Sequence, residues 1–166
     1  MTENKSNDKE IIEYPLRIRA HNLLCLQGFK GLGYTKDFID HMTRIHGYLA
    51  ENPATLVKVV IGEDTFCKHC PHNYKGRCTE GDPVDQPVPG EAPDTAILMD
   101  RRVITWLDLD ESTVYEWRQI LYKIGKSVDS SAMDVLCGDK CPWREQGHCA
   151  EALDKLNKAY ADGELN

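Results

Sequence analysis

Six of the seven cysteines fall into two similar motifs, and their spacing predicts two loops that each gather three thiols. The first motif runs Cys67-Lys-His-Cys70-Pro-His-Asn-Tyr-Lys-Gly-Arg-Cys78, and the second runs Cys137-Gly-Asp-Lys-Cys141-Pro-Trp-Arg-Glu-Gln-Gly-His-Cys149. Both end in the pattern C-P-x4-G-x-C. A short turn between the first two cysteines lets both sulfurs point inward, and the following proline fixes the backbone. The glycine near the end then lets the chain return with the third sulfur.

Metal binding is the chemistry that suits converging thiols, since thiolates are soft ligands that select zinc, iron–sulfur clusters or copper(I). A disulfide framework is the main alternative. Disulfides are typical of small secreted chains, whereas this sequence opens with polar and charged residues and shows no apolar secretion signal. A redox dithiol formed by Cys67 and Cys70 is a weaker alternative, because no thioredoxin-like βαβ pattern surrounds them. The motifs therefore predict a metal-binding protein of the cytoplasm.

The seventh cysteine, Cys25, lies four residues after His21 in a segment of helical character. On a helix this spacing places both side chains on one face, within reach of a common ion. Cys25 could equally be a small core residue, and His21 a hydrogen-bonded residue at the start of the helix. Both residues join the six loop cysteines as candidate metal ligands.

The number of thiols limits the metal chemistry. A four-thiolate site needs one sulfur more than either loop supplies, and Cys25 is the cysteine left to complete one of them. Three arrangements stay open for the remaining triad: a cluster with one iron open to substrate, six thiols around a single site, or a zinc ion that also binds His21, His69, His72 or His148. The leading hypothesis is at least one [4Fe–4S] cluster, and zinc is the alternative cofactor. An open iron would act as a Lewis acid on a small thiol, hydroxyl or carboxylate, whereas a zinc module would serve structure or a protein partner.

Other catalytic motifs are not evident. Gly28, Gly31 and Gly33 follow a helix, whereas a phosphate-binding loop follows a strand and opens a helix, so these glycines predict a helix end and a tight turn. No Ser-His-Asp signature, carboxylate pair or nucleotide-binding loop stands out. The sequence therefore assigns no catalytic residue.

The elements that position the motifs predict a mostly helical α+β domain. Leu16–Arg19 alternates apolar and polar residues, and Leu56–Ile61 is rich in β-branched residues, which predicts two strands that pair in a small sheet. The second strand leads through a short turn into the first cysteine loop, so a rigid strand would support that site. Thr35 is a good N-cap for the helix between the strands. Its inward stripe is Phe38, Met42, Ile45 and Leu49, with His41 and His46 predicted to be structural or solvent-facing.

The second half of the chain is predicted to be helical. Asp94 would cap one helix, Thr113–Glu116 would form a capping box for another, and Ser131–Asp134 would begin a short helical turn that delivers Cys137. Cys149 would open the last helix, where the positive end of the helix dipole favours a thiolate. The three inward stripes are Ala96, Met99, Val103 and Trp106; Val114, Trp117, Leu121 and Ile124; and Ala150, Leu153, Leu156 and Tyr160.

Length and composition set the overall class. The 166 residues, 41% of them hydrophobic, suit one compact domain, predicted at residues 15–163 after a disordered arm at 1–14. A proline-rich connector at 81–93 joins its halves. The net charge of −7 argues against nonspecific binding to nucleic acid or an anionic membrane, and no apolar run approaches the ~20 residues that span a bilayer. The expected partners are a small-molecule substrate or a redox partner protein, and the oligomeric state stays unassigned.

Three motifs together resemble the bacterial and archaeal family catalogued as domain of unknown function 1284. They are the segment from Arg17 to Tyr34, the loop that begins at Cys67 and the Cys-Pro-Trp loop at Cys141, and the resemblance covers about residues 16–155. All seven cysteines match cysteine positions of that family. The resemblance implies iron–sulfur binding and brings no settled activity. Where the family motif is expected to carry two successive histidines, this chain has His21-Asn22.

Overall fold

The computed structural model describes residues 12–80, 82, 85, 87, 88, 90, 92, 94–138, 141–146 and 148–165. Most of the predicted arm at 1–14 and much of the predicted connector at 81–93 lie outside the described residues. Ile12, near the end of that arm, packs against the hydrophobic core. The described part of the chain has a mixed α+β fold with 50% helix.

Five strands and six α-helices follow one another along the described part of the chain. The strands are β1 (Leu16–Arg19), β2 (Leu56–Val60), β3 (Asn73–Tyr74), β4 (Arg77–Cys78) and β5 (Val114–Glu116). The α-helices are α1 (Ala20–Cys25), α2 (Lys36–Glu51), α3 (Thr95–Leu107), α4 (Trp117–Ser127), α5 (Met133–Leu136) and α6 (His148–Ala161). Short 3₁₀ helices cover Cys67–His69, Ser130–Ala132 and Arg144–Gln146. In the described ranges, no helix combines the length and the apolar character needed to cross a membrane.

The main sheet has three strands in the order β1-β2-β5. β1 and β2 are parallel, with Ile18 opposite Val59, which confirms the predicted pairing. This direction is possible because α1 and α2 carry the chain back between the two strands. β5 adds an antiparallel edge, with Tyr115 opposite Val57. The sequence predicted two strands in this sheet and missed the third, β5. The pattern at Thr113–Glu116 resembles a helix start more than a strand.

The start of α4 differs from the prediction by one turn. Glu116, rather than Thr113, is the N-cap, and its backbone N–H donates to Gln119 Oε1 (2.8 Å) in a reciprocal capping box. Val114 was expected to face inward, but it lies in β5 and is 43% exposed. Trp117 and the rest of the inward face of α4 are buried as predicted, apart from Leu121, which is half-buried and packs against the core.

Helix α2 follows the sequence closely. Thr35 Oγ1 accepts a hydrogen bond from the backbone N–H of Phe38 (3.2 Å), which confirms the predicted cap. The predicted stripe of Phe38, Met42, Ile45 and Leu49 is buried. His41 is buried as well, and its Nε2 lies 3.0 Å from the carbonyl oxygen of Thr65, so it has a structural role.

Helix α3 is capped by Asp94 as predicted, but its buried face is rotated from the predicted stripe. The buried residues are Ala96, Asp100, Val103 and Leu107. Trp106 was expected inside and is 41% exposed, with its indole N–H donating to the carbonyl of Ser127 (2.9 Å). The rotation follows from Asp100, a charged residue that apolar periodicity excludes from the core and that the fold nevertheless buries.

The C-terminal elements follow the prediction in part: on the last helix Leu153 is buried, whereas Ala150, Leu156 and Tyr160 of the predicted stripe are only partly buried. The 3₁₀ turn at Ser130–Ala132 and α5 lead directly to Cys137. α6 buries Leu153 fully and packs against α4, where Gly125 allows a close approach. A Cβ on Gly125 would lie 3.1 Å from the carbonyl oxygen of Leu156. Gly163, with φ of 74°, follows the end of α6 in the left-handed conformation.

Candidate metal centre

The first cysteine loop is a 3₁₀ turn followed by a hairpin. Cys67 begins the turn, Cys70 follows it, and the β3–β4 hairpin returns the chain to Cys78. The hairpin turn uses Lys75 (φ 50°) and Gly76 (φ 84°), two successive left-handed residues typical of a type I′ turn. The predicted role of Gly76 in bringing back the third cysteine is confirmed by this geometry.

A buried carboxylate holds this loop against the sheet. Asp64 Oδ1 accepts hydrogen bonds from the backbone N–H of Phe66 (3.0 Å) and of Cys67 (3.2 Å), and the Cys67 thiol donates to the same oxygen (3.3 Å). Asp64 Oδ2 accepts from the backbone N–H of Arg19 (2.8 Å) and from the Asn22 amide (3.0 Å). One side chain therefore fixes the loop to the end of β1 and to α1.

The thiols of this loop are protonated at neutral pH in the absence of metal. Burial, together with the charge of Asp64, raises the pKa of Cys67 to about 12. Burial is also the main cause that raises the pKa of Cys70 and of Cys78. Arg19, in the same part of the molecule, opposes the shift at Cys67 and Cys78 because its cation favours a thiolate.

The second loop has a different local structure despite its similar sequence. Between Cys141 and Cys149 the chain forms the 3₁₀ helix Arg144–Gln146 and then enters α6, whereas the first loop has a hairpin. Cys149 is the second residue of α6, which confirms its predicted place at a helix start. Gly147 lies outside the described residues.

The structure brings Cys25 to the second loop. Burial raises the pKa of Cys25 well above its ordinary value, and the neighbouring thiols of Cys141, Cys149 and Cys137 raise it further. Gly28, just after α1, lies directly against Cys149: an added Cβ would be 2.7 Å from its Cα and 3.0 Å from its sulfur. Cys25, Cys137, Cys141 and Cys149 therefore form one group, which we name the four-thiol group.

The helix dipole is not the main influence on the pKa of Cys149. The sequence predicts a favoured thiolate at this helix start, but burial and the adjacent Cys141 raise the pKa of Cys149. The pKa of Cys137 is raised to about 11, again mainly by burial. Each thiol of this group whose pKa is raised must lose its proton before it can bind a metal.

The polar centre beside the thiols was not predicted from the sequence. Asp100, fully buried on α3, accepts from Arg19 Nε (3.0 Å) and Nη2 (2.7 Å), from the His21 backbone N–H (3.1 Å) and from the Gly62 N–H (3.1 Å). Its Oδ1 also lies 2.8 Å from His21 Nδ1. Burial alone would raise the pKa of Asp100, but the hydrogen bonds from His21 and Arg19 outweigh it and lower that pKa. An isolated acid on an otherwise apolar helix face is the sequence signal that could have revealed it.

Three of the four candidate histidine ligands, His21, His69 and His72, contact other side chains. His21 Nδ1 is held by Asp100, as described above. His69 Nδ1 lies 2.8 Å from Asp37 Oδ2, and its ring stacks on that of His41 at 4.0 Å. His72 sits edge-on to Tyr34, with ring centroids 4.5 Å apart. His148 is the first residue of α6. Among the described residues, no three His, Cys, Asp or Glu side chains are arranged to hold a single metal ion.

A cavity of about 550 Å³ lies between the two cysteine loops. Its wall includes Cys78 from the first loop and three members of the four-thiol group, Cys25, Cys137 and Cys141. α3 contributes one of its faces, namely Thr95, Leu98, Met99 and Arg102, which explains why Leu98 is exposed.

Tyr34 links both loops at this cavity. Its hydroxyl accepts a hydrogen bond from the indole N–H of Trp143 in the second loop (3.0 Å) and donates to Glu80, which follows the first loop. Its ring also meets that of Trp143 edge-on, with centroids 5.6 Å apart. The sequence predicts only a helix end and a turn for the Gly-rich segment after α1. The structure shows that this segment also positions Tyr34 between the two cysteine loops.

A larger depression of about 720 Å³ lies at the ends of α3 and α4. The described residues that line it include Trp106, Tyr122 and Lys123, and none of them is a cysteine or histidine. Of these two cavities, the smaller one is therefore the one that cysteines line.

Comparison with known families gives one match. The family described as "Protein of unknown function (DUF1284)" matches residues 33–147, which is more than half of the chain. This range contains the whole first loop and the second loop as far as Gly147, two residues before Cys149. No curated protein and no solved structure matches the chain.

Proposed function

Given that the chain belongs to the DUF1284 family, for which no activity is described, we propose from the site itself that it is a cysteine-ligated metal protein. Its principal cofactor would be a [4Fe–4S] cluster held by Cys25, Cys137, Cys141 and Cys149. The observation that carries this proposal is the approach of Cys25 and Gly28 to the second loop, because it supplies the fourth thiol that the loop lacks.

Four thiols can hold either a cluster or a single zinc ion, and the family resemblance described for the sequence favours the cluster. Zinc draws four sulfurs to about 2.3 Å from one centre, whereas a cluster binds each thiolate to a different iron and so spaces the sulfurs more widely. The thiols of Cys141, Cys149 and Cys137 lie close enough to Cys25 to raise its pKa, so four thiols lie in one region of the chain. The cluster would supply one-electron transfer to a partner or substrate.

The first loop would hold a second centre with three thiolates from Cys67, Cys70 and Cys78. Cys78 is the member that lines the cavity, so an open coordination position there would be accessible to a small molecule and would act as a Lewis acid. Such sites require reduced thiols, and all seven cysteines are free in the structure. The proposal therefore places the protein in a reducing compartment, the cytoplasm.

The test is the content of iron, acid-labile sulfide and zinc per chain, measured on protein purified without oxygen together with its visible spectrum. We expect about four irons and four sulfides for each cluster. Cys25→Ser should remove one cluster, and Cys70→Ser should leave that cluster in place, so the two variants are matched controls for each other. Zinc at one or two per chain without sulfide would overturn the cluster proposal in favour of a structural zinc module.

A further inference from the structure

Corresponding residues of the two cysteine motifs contact the same tyrosine. His72 follows Cys70-Pro71 in the first motif, and Trp143 follows Cys141-Pro142 in the second. Both rings meet the ring of Tyr34 edge-on, His72 at 79° with centroids 4.5 Å apart and Trp143 at 90° with centroids 5.6 Å apart. Each motif therefore places an aromatic ring two residues after a cysteine, and both rings converge on Tyr34.

The Tyr34 hydroxyl also joins the two loops, through two hydrogen bonds. The indole N–H of Trp143 can only donate, so the phenol oxygen is the acceptor of this bond, at 3.0 Å. The phenol hydrogen is then left for Glu80, which lies two residues after Cys78 and accepts it. One hydroxyl thus connects the second loop to the residue that follows the first.

Helix α2 holds the ring of Tyr34 in place. Tyr34 directly precedes Thr35, the N-cap of this helix, and its ring centroid lies 5.1 Å from that of the buried Phe38. Gly33 fits closely against the same side chain, since an added Cβ would be 2.8 Å from Phe38 Cδ1. The ring is therefore a fixed point for both loops, and the hydroxyl is the group through which one loop can influence the other.

Two hydrogen bonds that share one hydroxyl strengthen each other. When the phenol donates to Glu80, its oxygen becomes more negative and a better acceptor for the Trp143 indole, and the reverse also holds. A metal bound to either loop would fix Cys78 or Cys141, each two residues from one of these partners, and so favour the bond that this partner makes. Metal at one loop would therefore favour the hydrogen bond that orders the other loop.

We propose that the Tyr34 hydroxyl couples the two cysteine loops, so that metal bound at one loop raises the metal affinity of the other. The inference rests on the proposed function, because it needs a metal at each loop, and it adds the regulation of one site by the other. Tyr34 acts through Glu80 and Trp143 and is a positioning residue. By linkage the effect is reciprocal, with the same factor in both directions.

Cobalt(II) binding to the reduced, metal-free full chain tests this coupling, because cobalt–thiolate absorption reports the occupancy of the thiol sites. Cys67→Ser/Cys70→Ser keeps the four-thiol group alone, and Cys25→Ser/Cys149→Ser keeps the first loop alone. In the parent chain, the product of the two stepwise binding constants should exceed the product of the two single-site constants by about threefold to tenfold. We name this ratio the coupling factor.

Tyr34→Phe, added to all three proteins, should bring the coupling factor to about one, because phenylalanine keeps the ring contacts and removes both hydrogen bonds. Tyr122→Phe is the matched control. Tyr122 meets Tyr160 edge-on (5.1 Å) and lines the larger depression, none of whose lining residues belongs to a cysteine loop. This variant should leave the coupling factor unchanged.

Urea unfolding of the metal-free variants checks that each is folded. A merely structural role of Tyr34 would weaken the single-site constants of both loops and leave the coupling factor as it is in the parent chain. Two results would overturn the inference: a coupling factor of one in the parent chain, or a factor that persists in Tyr34→Phe.

Iron and sulfide content of the same variants separates the two proposals. Loops that bind metal with no coupling factor above one would overturn this inference alone. A chain that holds no iron after purification without oxygen, and shows no cobalt–thiolate absorption, would overturn the metal proposal on which this one rests.

Discussion

At the scale of single residues, the thiol sites depend on two buried carboxylates. Asp64 fixes the first loop through its hydrogen bonds with Phe66 and Cys67, and Asp100 gathers Arg19, His21 and Gly62 at the end of the parallel strands. A buried charge is tolerated when its partners are complete, and removing one partner leaves the other uncompensated. The polar centre is therefore a structural requirement for the site.

Replacing Asp100 with alanine should be strongly destabilising. The Arg19 guanidinium, 3% exposed, would remain buried without its anion, so we expect the free energy of unfolding to fall by about 3–5 kcal/mol. Urea unfolding of the metal-free protein measures this. Asp40→Ala is the control, because its pair with Lys36 is exposed, and its effect should stay within about 0.5 kcal/mol. Equal losses in both variants would contradict the role given to Asp100.

The metal-free protein should lose stability above about pH 9. Unfolded thiols titrate near their ordinary pKa of 9.0, whereas the pKa of folded Cys137 is about 11 and that of Cys67 about 12. Above pH 9 the unfolded state releases protons that the folded state keeps, so stability declines until the pH passes these raised values.

Urea unfolding of the reduced chain across this pH window checks the expectation. Cys67→Ser and Cys137→Ser should each make the decline shallower, and comparison with the parent chain separates the thiols from lysine and tyrosine titration. If the free energy of unfolding declines with pH at the same rate in the parent chain and in both variants, these two thiols do not contribute to the decline.

At the scale of elements, the four-thiol group depends on how closely α1 and α6 approach. Helix α1 ends at Cys25, and Gly28 lets the following turn contact the backbone of Cys149 near the start of α6. A side chain at position 28 would meet the backbone and sulfur of Cys149, which cannot both move while α6 stays packed on α4.

Gly28→Ala should therefore impair both folding and metal retention. We expect a loss of about 1–3 kcal/mol in the free energy of unfolding from overpacking, and fewer irons per chain. Gly47→Ala is the matched control: Gly47 lies within α2 and an added Cβ would meet nothing within 4 Å. That variant should be neutral or stabilised by up to about 1 kcal/mol, with full metal content. Unchanged metal content in Gly28→Ala would argue against the four-thiol group.

At the scale of the whole molecule, one cavity joins parts of the chain that are far apart in sequence. Cys25 comes from the first helix, Cys78 from the hairpin and Cys137 from the turn after α5, while Tyr34 and Trp143 connect the two loops. Ligands that bind between distant segments stabilise the folded state as a unit, because the unfolded chain cannot assemble the site.

Metal loading should raise the melting temperature of the whole domain. At a metal or cluster concentration 1,000-fold above the Kd, the stabilisation is about 4 kcal/mol, which for a chain of this size corresponds to roughly 8–16 °C. Calorimetry of metal-loaded and chelator-treated protein measures the shift. Cys25→Ser should lose most of it. A domain that melts at the same temperature with and without metal would not depend on the site for its stability.

The sequence by itself determined the elements that follow one local rule. It predicted the two strands β1 and β2, the cap and inward stripe of α2, the cap of α3, and the helical turn before Cys137, since each depends on periodicity or on capping within a few residues. It also predicted that the two strands pair, and the structure added that they run parallel. It also predicted the two cysteine loops as sequence motifs, although their similar spacing does not give similar local structure: Lys75-Gly76 favours a hairpin turn, whereas the corresponding part of the second loop is helical.

Only the tertiary structure decided which groups meet. Cys25 joins the second loop rather than the first, and Asp100 faces the core while Trp106 faces outward, because the packing of α1, α3 and α6 sets these contacts. The edge strand β5 was missed for the same reason, since pairing with β2 overrides a local pattern typical of a helix start. Spacing along the chain specifies what each residue can bind, and the long-range packing specifies which partners lie within reach.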